Sequence, residues 1–212
     1  MLIALEGAAG TGKSTLRDRI LTCAADRGIA ITHLGQFSWL SLPATRTLVA
    51  LRAGRALVDE NTATTAVLDD LVMHARHNIV PAARAQHVLA DRLILSSACL
   101  LAATHTRPVE HYLSTLTAAS GVQPDLTVVL TTPPEICRRR LAPRPTAARP
   151  GDAPDAALQL HRLYKQAANA WQHTVNRPLW RRRLLTPRDT DRVCEEILDH
   201  LHLHRPVPGE AL

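Results

Sequence analysis

Short apolar runs alternate with longer amphipathic segments along the chain. The runs typical of buried strands are LIAL (2–5), IAITHL (29–34), HVLA (87–90) and LTVVL (126–130). Between them, apolar residues recur at helical spacing. Strands that alternate with helices form a parallel sheet with helices on both faces. The pattern therefore predicts an α/β fold, and the chain of 212 residues suits a single domain over residues 1–212.

Helices are predicted between and after these runs. The first follows Lys13 and stops at Gly28, because glycine is a common helix stop signal. The others are predicted at residues 43–57, 62–83, 96–104, 109–120, 156–175 and 189–201, with one more that begins near residue 133. Pro81 marks either the last turn of the 62–83 helix or a break in it. Leu184-Leu185 predict a short last strand.

Residues 142–155, APRPTAARPGDAPD, are rich in proline and predict a surface loop. This loop carries Arg144 and Arg149 and follows the arginines 138–140 of the preceding helix. A mobile loop with arginines can close over a phosphate and exclude water from it. A solvated basic loop without such a role is the alternative.

Composition narrows the class of protein. Hydrophobic residues make up 46% of the chain but aromatic ones only 3%, so aliphatic side chains must build the core. No apolar run approaches the roughly 20 residues that cross a membrane. Glu6 and the glycines after it interrupt the N-terminal run, unlike in a secretory signal. The cysteines are widely separated and indicate the reduced thiols of a cytoplasmic protein.

The net charge of +6 is compatible with nucleic-acid binding. The basic residues, however, concentrate after residue 137. A small anionic substrate explains the arginines between 138 and 149 as well as RNA would, and a solvated face explains those at 181–183. Aromatic residues do not interleave with these runs, as single-strand binding would require. A small molecule is therefore the expected partner.

The segment GAAGTGKST (7–15) fits the pattern G-x-x-x-x-G-K-[ST]. Backbone N–H groups of such a loop surround a phosphate, and only glycine takes the required conformations at low cost. The predicted strand before the loop and the helix after it place the phosphate at a positive helix N-terminus, a context that argues against a chance match. The predicted nucleotide-binding residues are Gly7, Ala8, Ala9, Gly10, Thr11, Gly12, Lys13, Ser14 and Thr15.

Lys13 and Asp91 are candidate catalytic residues. In this pattern the lysine reaches the outer phosphates, while the hydroxyl of Ser14 ligates Mg²⁺. Asp91 directly follows a predicted buried strand, where a carboxylate completes the Mg²⁺ shell in proteins with such a loop. A helix-capping aspartate is an alternative that is compatible with this role. Arg92 beside it is either a phosphate clamp or a partner of Asp91. The sequence thus predicts a magnesium–nucleotide site.

The segment GQFSWLSL (35–42) holds the only phenylalanine of the chain and one of its three tryptophans. Phe37 and Trp39 are candidate stacking residues for an acceptor, because the chain offers few other aromatic rings. Packing of both rings in the core is the alternative.

Several segments resemble known kinases. ALEGAAGTGKSTL (4–16) resembles the opening of thymidylate kinases and deoxynucleoside kinases, where a Glu-Gly pair leads into the loop. HVLADRLILSSACL (87–100) resembles the Asp-Arg-Tyr segment of thymidylate kinases, with Leu93 in place of the aromatic residue. PDLTVVLTTPPEICRRRL (124–141) is similar to the strand and helix before the lid in both families, and LQLHRLYKQAANAW (158–171) is more similar to deoxynucleoside kinases.

The resemblance implies the P-loop NTPase fold, with a five-stranded parallel sheet, helices on both faces and a lid at about residues 142–155. It further implies ATP and Mg²⁺ as co-substrates, and often a homodimer. The sequence departs from both families at the acceptor. The arginine that holds the acceptor phosphate in thymidylate kinases would fall near Asp70-Leu71, with Arg76 as the replacement candidate. The catalytic Glu of deoxynucleoside kinases would fall near Gln36, which cannot act as a base.

The expected function is transfer of the γ-phosphate of ATP to a thymidylate-like nucleoside monophosphate or a similar small molecule. Arg92 and Arg76 would hold the acceptor, and Arg144 or Arg149 would close over the transition state. A hydroxyl acceptor on a nucleoside or a specialised metabolite is the alternative, with Asp91 taking the proton. A nucleotide-dependent switch is less favoured, because the chain lacks an N-K-x-D segment that reads guanine.

Overall fold

The computed structural model describes residues 1–54, 58–142 and 154–203, with the backbone alone for residues 154 and 155. Within these ranges, five parallel strands form one sheet in the order β2-β3-β1-β4-β5. The strands are β1 (Leu2–Glu6), β2 (Ile31–Leu34), β3 (His87–Asp91), β4 (Leu126–Leu130) and β5 (Leu179–Arg182). This architecture confirms the predicted α/β fold.

The helices connect the strands and extend beyond β5. They are α1 (Lys13–Asp26), α2 (Leu42–Ala53), α3 (Glu60–His74), α4 (Val80–Ala85), α5 (Ile94–Thr104), α6 (Val109–Ala119), α7 (Pro134–Leu141), α8 (Pro154–Thr174) and α9 (Pro187–Leu203). A π-helical turn, Ala75–Ile79, joins α3 to α4. Among the described helices, none is long and apolar enough to cross a membrane.

Two apolar layers cover the two faces of the sheet, because successive side chains of a strand point to opposite sides. On β1, Leu2 and Ala4 pack with α2, α3, α5, α6 and α8, whereas Ile3 and Leu5 pack with α1 and α9. Both layers are built mainly from aliphatic residues, as the composition predicts. The central strands are buried on both faces, which is why they read as continuous apolar runs.

The sequence prediction of the last strand was wrong. Leu184-Leu185 do not form a strand, and β5 is the preceding LWRR segment. Because β5 lies at the edge of the sheet, Arg181 is exposed, and the guanidinium of Arg182 lies 4.8 Å from the ring centroid of Trp180. An edge strand with arginines lacks the apolar pattern on which the prediction relied.

The predicted 62–83 helix is interrupted by the π-helical turn. Pro81 lies at the start of α4, where its missing N–H breaks the α-helical hydrogen-bond pattern and a wider turn accommodates the break. Residues 143–153 of the predicted lid, which include Arg144 and Arg149, lie outside the described residues.

The parallel register brings the loops that follow the strands to one edge of the sheet. Leu5 of β1 pairs with Asp91 of β3, and Leu34 of β2 pairs with Ala90. The phosphate loop after β1, Asp91, and the β2–α2 loop (residues 35–41) therefore emerge side by side. This carboxyl edge is where ligands bind in open α/β sheets.

Two neighbouring residues of α2 give a matched test of this packing. Leu48 is fully buried in the apolar core, whereas Val49 is 53% exposed. We expect Leu48→Ala to lower the free energy of unfolding by about 2–5 kcal/mol, because a cavity remains in the core. Val49→Ala should change it by less than about 0.5 kcal/mol. Urea unfolding of both variants measures the difference, and equal losses would contradict the described packing of α2.

Candidate active site

The phosphate loop connects β1 to α1 in the geometry that the sequence predicts. Gly7, Gly10 and Gly12 have φ angles of 140°, 77° and 99°, which side chains other than glycine rarely adopt. A Cβ atom at Gly10 would lie 2.7 Å from the carbonyl oxygen of Cys137 in α7, and one at Gly7 would lie 2.8 Å from that of Leu130. The loop thus needs glycine for its conformation and for its close contacts.

Lys13 points into this loop. Its Nζ donates hydrogen bonds to the carbonyl oxygens of Gly7 at 2.8 Å and Ala8 at 3.1 Å. Burial holds the pKa of Lys13 well below its usual range; the nearby Arg92 adds to this shift, whereas Asp91 opposes it. Both hydrogen-bond acceptors of this ammonium in the described part of the chain are neutral, and a buried charge in such surroundings favours an anion nearby. A nucleotide phosphate meets that requirement.

The hydroxyl residues of the loop differ in burial. Thr11 is buried, and its Oγ1 donates a hydrogen bond to the carbonyl oxygen of Ala8 at 2.9 Å. Ser14 and Thr15, in the first turn of α1, are exposed. Ser14 thus has its hydroxyl at the helix N-terminus, in the position that the motif assigns to a metal ligand.

Asp91 is paired with a residue that the sequence reasoning missed. Arg17 of α1 donates from Nη1 to Oδ2 of Asp91 at 3.0 Å, and it also binds the neighbouring Asp18. Arg17 follows Lys13 by one helical turn, so it lies beside the phosphate loop. One indication of this role is present in the sequence, because Arg17 comes one helical turn after the lysine of the motif. The described ion pairs of Asp91 include Arg17 and not Arg92.

Arg92 turns instead toward α8. Its Nη1 donates to Ser96 Oγ at 3.2 Å and to the hydroxyl of Tyr164. Its φ of 78° is uncommon for a residue with a side chain, and such strained conformations concentrate at functional sites. Arg92 remains at the carboxyl edge of the sheet, next to Asp91.

Glu6 is a buried residue whose role the sequence reasoning did not predict. It ends β1, is 1% exposed, and accepts hydrogen bonds from the N–H groups of Leu93 at 2.9 Å and Ser96 at 3.2 Å. Ser96 Oγ also donates to Glu6 and lies 2.6 Å from the Tyr164 hydroxyl. Burial raises the pKa of Glu6, and the hydrogen bonds from Ser96 and Leu93 oppose that shift.

The β2–α2 loop is held by three side chains of α3, of which Asp69 is exposed and accepts a hydrogen bond from Ser41 Oγ at 2.7 Å. Asp70 is fully buried and accepts hydrogen bonds from Ser38 N at 3.0 Å, Ser38 Oγ at 2.7 Å and Trp39 N at 3.1 Å. His74 Nε2 donates to the carbonyl oxygen of Gly35 at 2.9 Å, and its Nδ1 accepts from Asn78. Burial lowers the pKa of His74 and so favours its neutral form, while the hydrogen bond to Gly35 opposes that shift. Asp70 thus occupies a structural position where the resemblance suggests an arginine.

The predicted acceptor residues fall in different surroundings. Phe37 is 6% exposed and lies in the core, as the alternative reading of the sequence has it, with the guanidinium of Arg52 5.6 Å from its ring centroid. Trp39 is 45% exposed. Arg76 is exposed on the π-helical turn. The roles of these residues in binding stay predictions.

A cavity of about 690 Å³ opens on the side of the phosphate loop that faces α7 and α9. It lies between α1, α7 and the start of α9, and a volume of this size accommodates a nucleoside. Arg140 of α7 borders it and donates to the carbonyl oxygen of Leu184 at 2.7 Å. The other lining residues are Gly10, Gly12, Thr15, Arg19, Leu184, Thr186, Pro187, Thr190 and Asp191.

Comparison with known proteins agrees with this geometry. The family model described as thymidylate kinase matches residues 5–177. The match begins in β1 and ends after α8, so it includes the phosphate loop and the strand that carries Asp91. No curated protein matches the chain. With its matched length and its phosphate loop, the chain belongs to the thymidylate kinase family and is a P-loop nucleotide kinase that binds ATP.

Proposed function

We propose that the protein transfers the γ-phosphate of ATP, with Mg²⁺, to a nucleoside monophosphate of the thymidylate type. The observation that carries the proposal is the place of Lys13. Its buried ammonium lies inside the phosphate loop, and the strand next to it ends in Asp91 with its Arg17 partner. Cations that flank a phosphate site stabilise the charge that develops during transfer.

The donor would bind in the phosphate loop, with N–H groups from Ala8 to Ser14 around its phosphates and Lys13 against their charge. The cavity bordered by Arg140 is the proposed place of the base and ribose. The hydroxyl of Ser14 and the carboxylate of Asp91, through water, are oxygen ligands of the kind that Mg²⁺ prefers. When bound, the ion neutralises charge on the donor phosphates.

The acceptor would bind on the side of β3. Arg92, which now contacts Ser96, would hold its phosphate, and Arg17 would add a second cation one turn beyond Lys13. A phosphate acceptor is already ionised and needs no general base, so positioning supplies most of the catalysis. Arg76 from the π-helical turn, and Arg144 or Arg149 from the proposed lid, remain proposed contributors. We further propose a cytoplasmic homodimer with a small-molecule acceptor and no nucleic-acid partner.

One observation favours a second candidate, a hydroxyl acceptor on a nucleoside or a specialised metabolite. Asp70 stands where the family resemblance suggests a phosphate-holding arginine, and a carboxylate there repels an anion. Asp91 would then accept the proton of the hydroxyl.

An acceptor panel separates the two candidates. Purified protein with ATP and Mg²⁺ is offered thymidylate, other nucleoside monophosphates, free nucleosides and modified nucleosides, and product masses are measured. Stimulation of ATP consumption by thymidylate supports the proposed function. Stimulation by free hydroxyl compounds alone supports the second candidate, and ATP consumption that no acceptor increases contradicts both.

The two lysines of the chain provide a matched test of the phosphate loop. Lys13→Ala should lower kcat by about 100-fold or more, because the transferred phosphate loses its buried cation. Lys165→Ala, on the exposed face of α8, should leave turnover unchanged. Steady-state assays with the best acceptor measure both, and near-normal turnover of Lys13→Ala would refute the assignment.

Ser14 provides a test of the metal site. Ser14→Ala should raise the Mg²⁺ concentration for half-maximal activity by roughly 10- to 100-fold, since the ion loses a direct ligand. Ser14→Thr keeps the hydroxyl and should restore most of the lost affinity. Activity titrated against Mg²⁺ gives the comparison, and an unchanged Mg²⁺ requirement in Ser14→Ala would remove Ser14 from the site.

A further inference from the structure

The β2–α2 loop holds its most exposed aromatic residue in a strained conformation. Trp39 has a φ of 57°, a left-handed value that is an outlier for a bulky side chain. Its ring is 45% exposed and meets the buried ring of Phe37 edge-on, with 5.1 Å between the centroids. A strained residue persists only where its surroundings fix it, and such residues concentrate at ligand sites.

Asp70 is the group that fixes this conformation. Its carboxylate is fully buried on α3, and the four hydrogen bonds that it accepts come from two residues of the loop. One of them is the main-chain N–H of Trp39, the strained residue itself. His74, one helical turn later, holds the start of the loop at Gly35. The loop is therefore fastened to α3 at both ends of the Phe37 segment.

The loop lies next to the acceptor side of the site. Leu34 pairs with Ala90, so Gly35 follows beside Asp91 at the carboxyl edge of the sheet. Trp39 is thus an exposed aromatic side chain on the loop that begins beside Asp91, in a chain with only 3% aromatic residues. Base–aromatic stacking contributes substantially to the binding of unpaired nucleobases.

We propose that Asp70 is a positioning residue that holds Trp39 as a stacking surface for the aromatic base of the acceptor. The ligand class is a nucleobase, whether the acceptor is a nucleotide or a nucleoside. This inference rests on the proposed function for the identity of the acceptor. Asp70 acts through the loop and does not touch the acceptor.

The first test replaces the ring while it keeps the loop. Trp39→Gly suits the left-handed backbone and should leave the melting temperature near that of the natural protein. The KM for thymidine 5′-monophosphate should rise roughly 5- to 150-fold, with the KM for ATP within about twofold. Trp39→Phe should restore most of the loss. If the acceptor KM of Trp39→Gly stays within twofold of that of the natural protein, the proposal is overturned. A change of oligomeric state with no change in that KM also overturns it.

The second test asks whether Asp70 acts through Trp39. Asp70→Asn keeps the shape but places an N–H group against the loop donors, so the acceptor KM should rise as in Trp39→Gly. In the double variant, Asp70→Asn should add less than about twofold, because the ring is already absent. Asp69→Asn is the matched control, since Asp69 is exposed and, among the described residues, is bound by the Ser41 side chain and not by the main chain of Trp39. Additive effects, or an equal rise in Asp69→Asn, overturn the role of Asp70.

A binding measurement separates this inference from the proposed function. Free thymidine and adenosine are titrated up to millimolar concentration against the intrinsic tryptophan fluorescence of natural protein and Trp39→Phe. Quenching in the natural protein alone supports the stacking surface even where the acceptor panel shows no turnover. Equal quenching in both proteins, or none in either, overturns the inference whatever the panel shows.

Discussion

A fully buried carboxylate, that of Glu6, holds together the elements that carry the site. Glu6 ends β1 directly before the phosphate loop. Its carboxylate accepts hydrogen bonds from the N–H groups of Leu93 and Ser96 at the start of α5. Burial of a carboxylate is costly unless donors surround it, and a helix N-terminus supplies donors together with a positive dipole end. Arg92 lies between β3 and α5, so the same contact fixes the backbone from which it reaches Tyr164. The phosphate loop, β3 and α8 thus share one anchor.

The phosphate loop is further confined by neighbours on two sides. Leu130 at the end of β4 lies against Gly7, and Cys137 in α7 lies against Gly10. These contacts leave no room for a Cβ atom, and the loop backbone has little freedom to move. Dipoles that are already oriented cost no reorganisation when a phosphate arrives, which is the physical basis of catalysis by such loops. The end of β4 and helix α7 therefore also shape the phosphate loop.

The sequence predicted those features whose cause is local. Buried strands read as continuous apolar runs, and the glycine-rich loop carries its own signature between β1 and α1. The Arg17–Asp91 pair and the Asp70–loop contacts join residues far apart in the chain, so no short pattern contains them. The sequence nevertheless indicates that Asp70 is unusual, because it falls on the same helical face as Val67 and Leu71, which are both buried. A charged residue on an apolar face needs a partner, and here the partner is the main chain of a distant loop.

The two edge strands of the described sheet have a consequence for the behaviour of the protein at high concentration. Edge strands present unpaired main-chain groups that invite a strand from another molecule. Here β2 and β5 each have 4 residues, whereas β1, β3 and β4 have 5. The arginines of β5 add charge along one of these edges. The arginines of β5 interrupt the apolar pattern by which strands were predicted, and their charge also disfavours edge-to-edge aggregation.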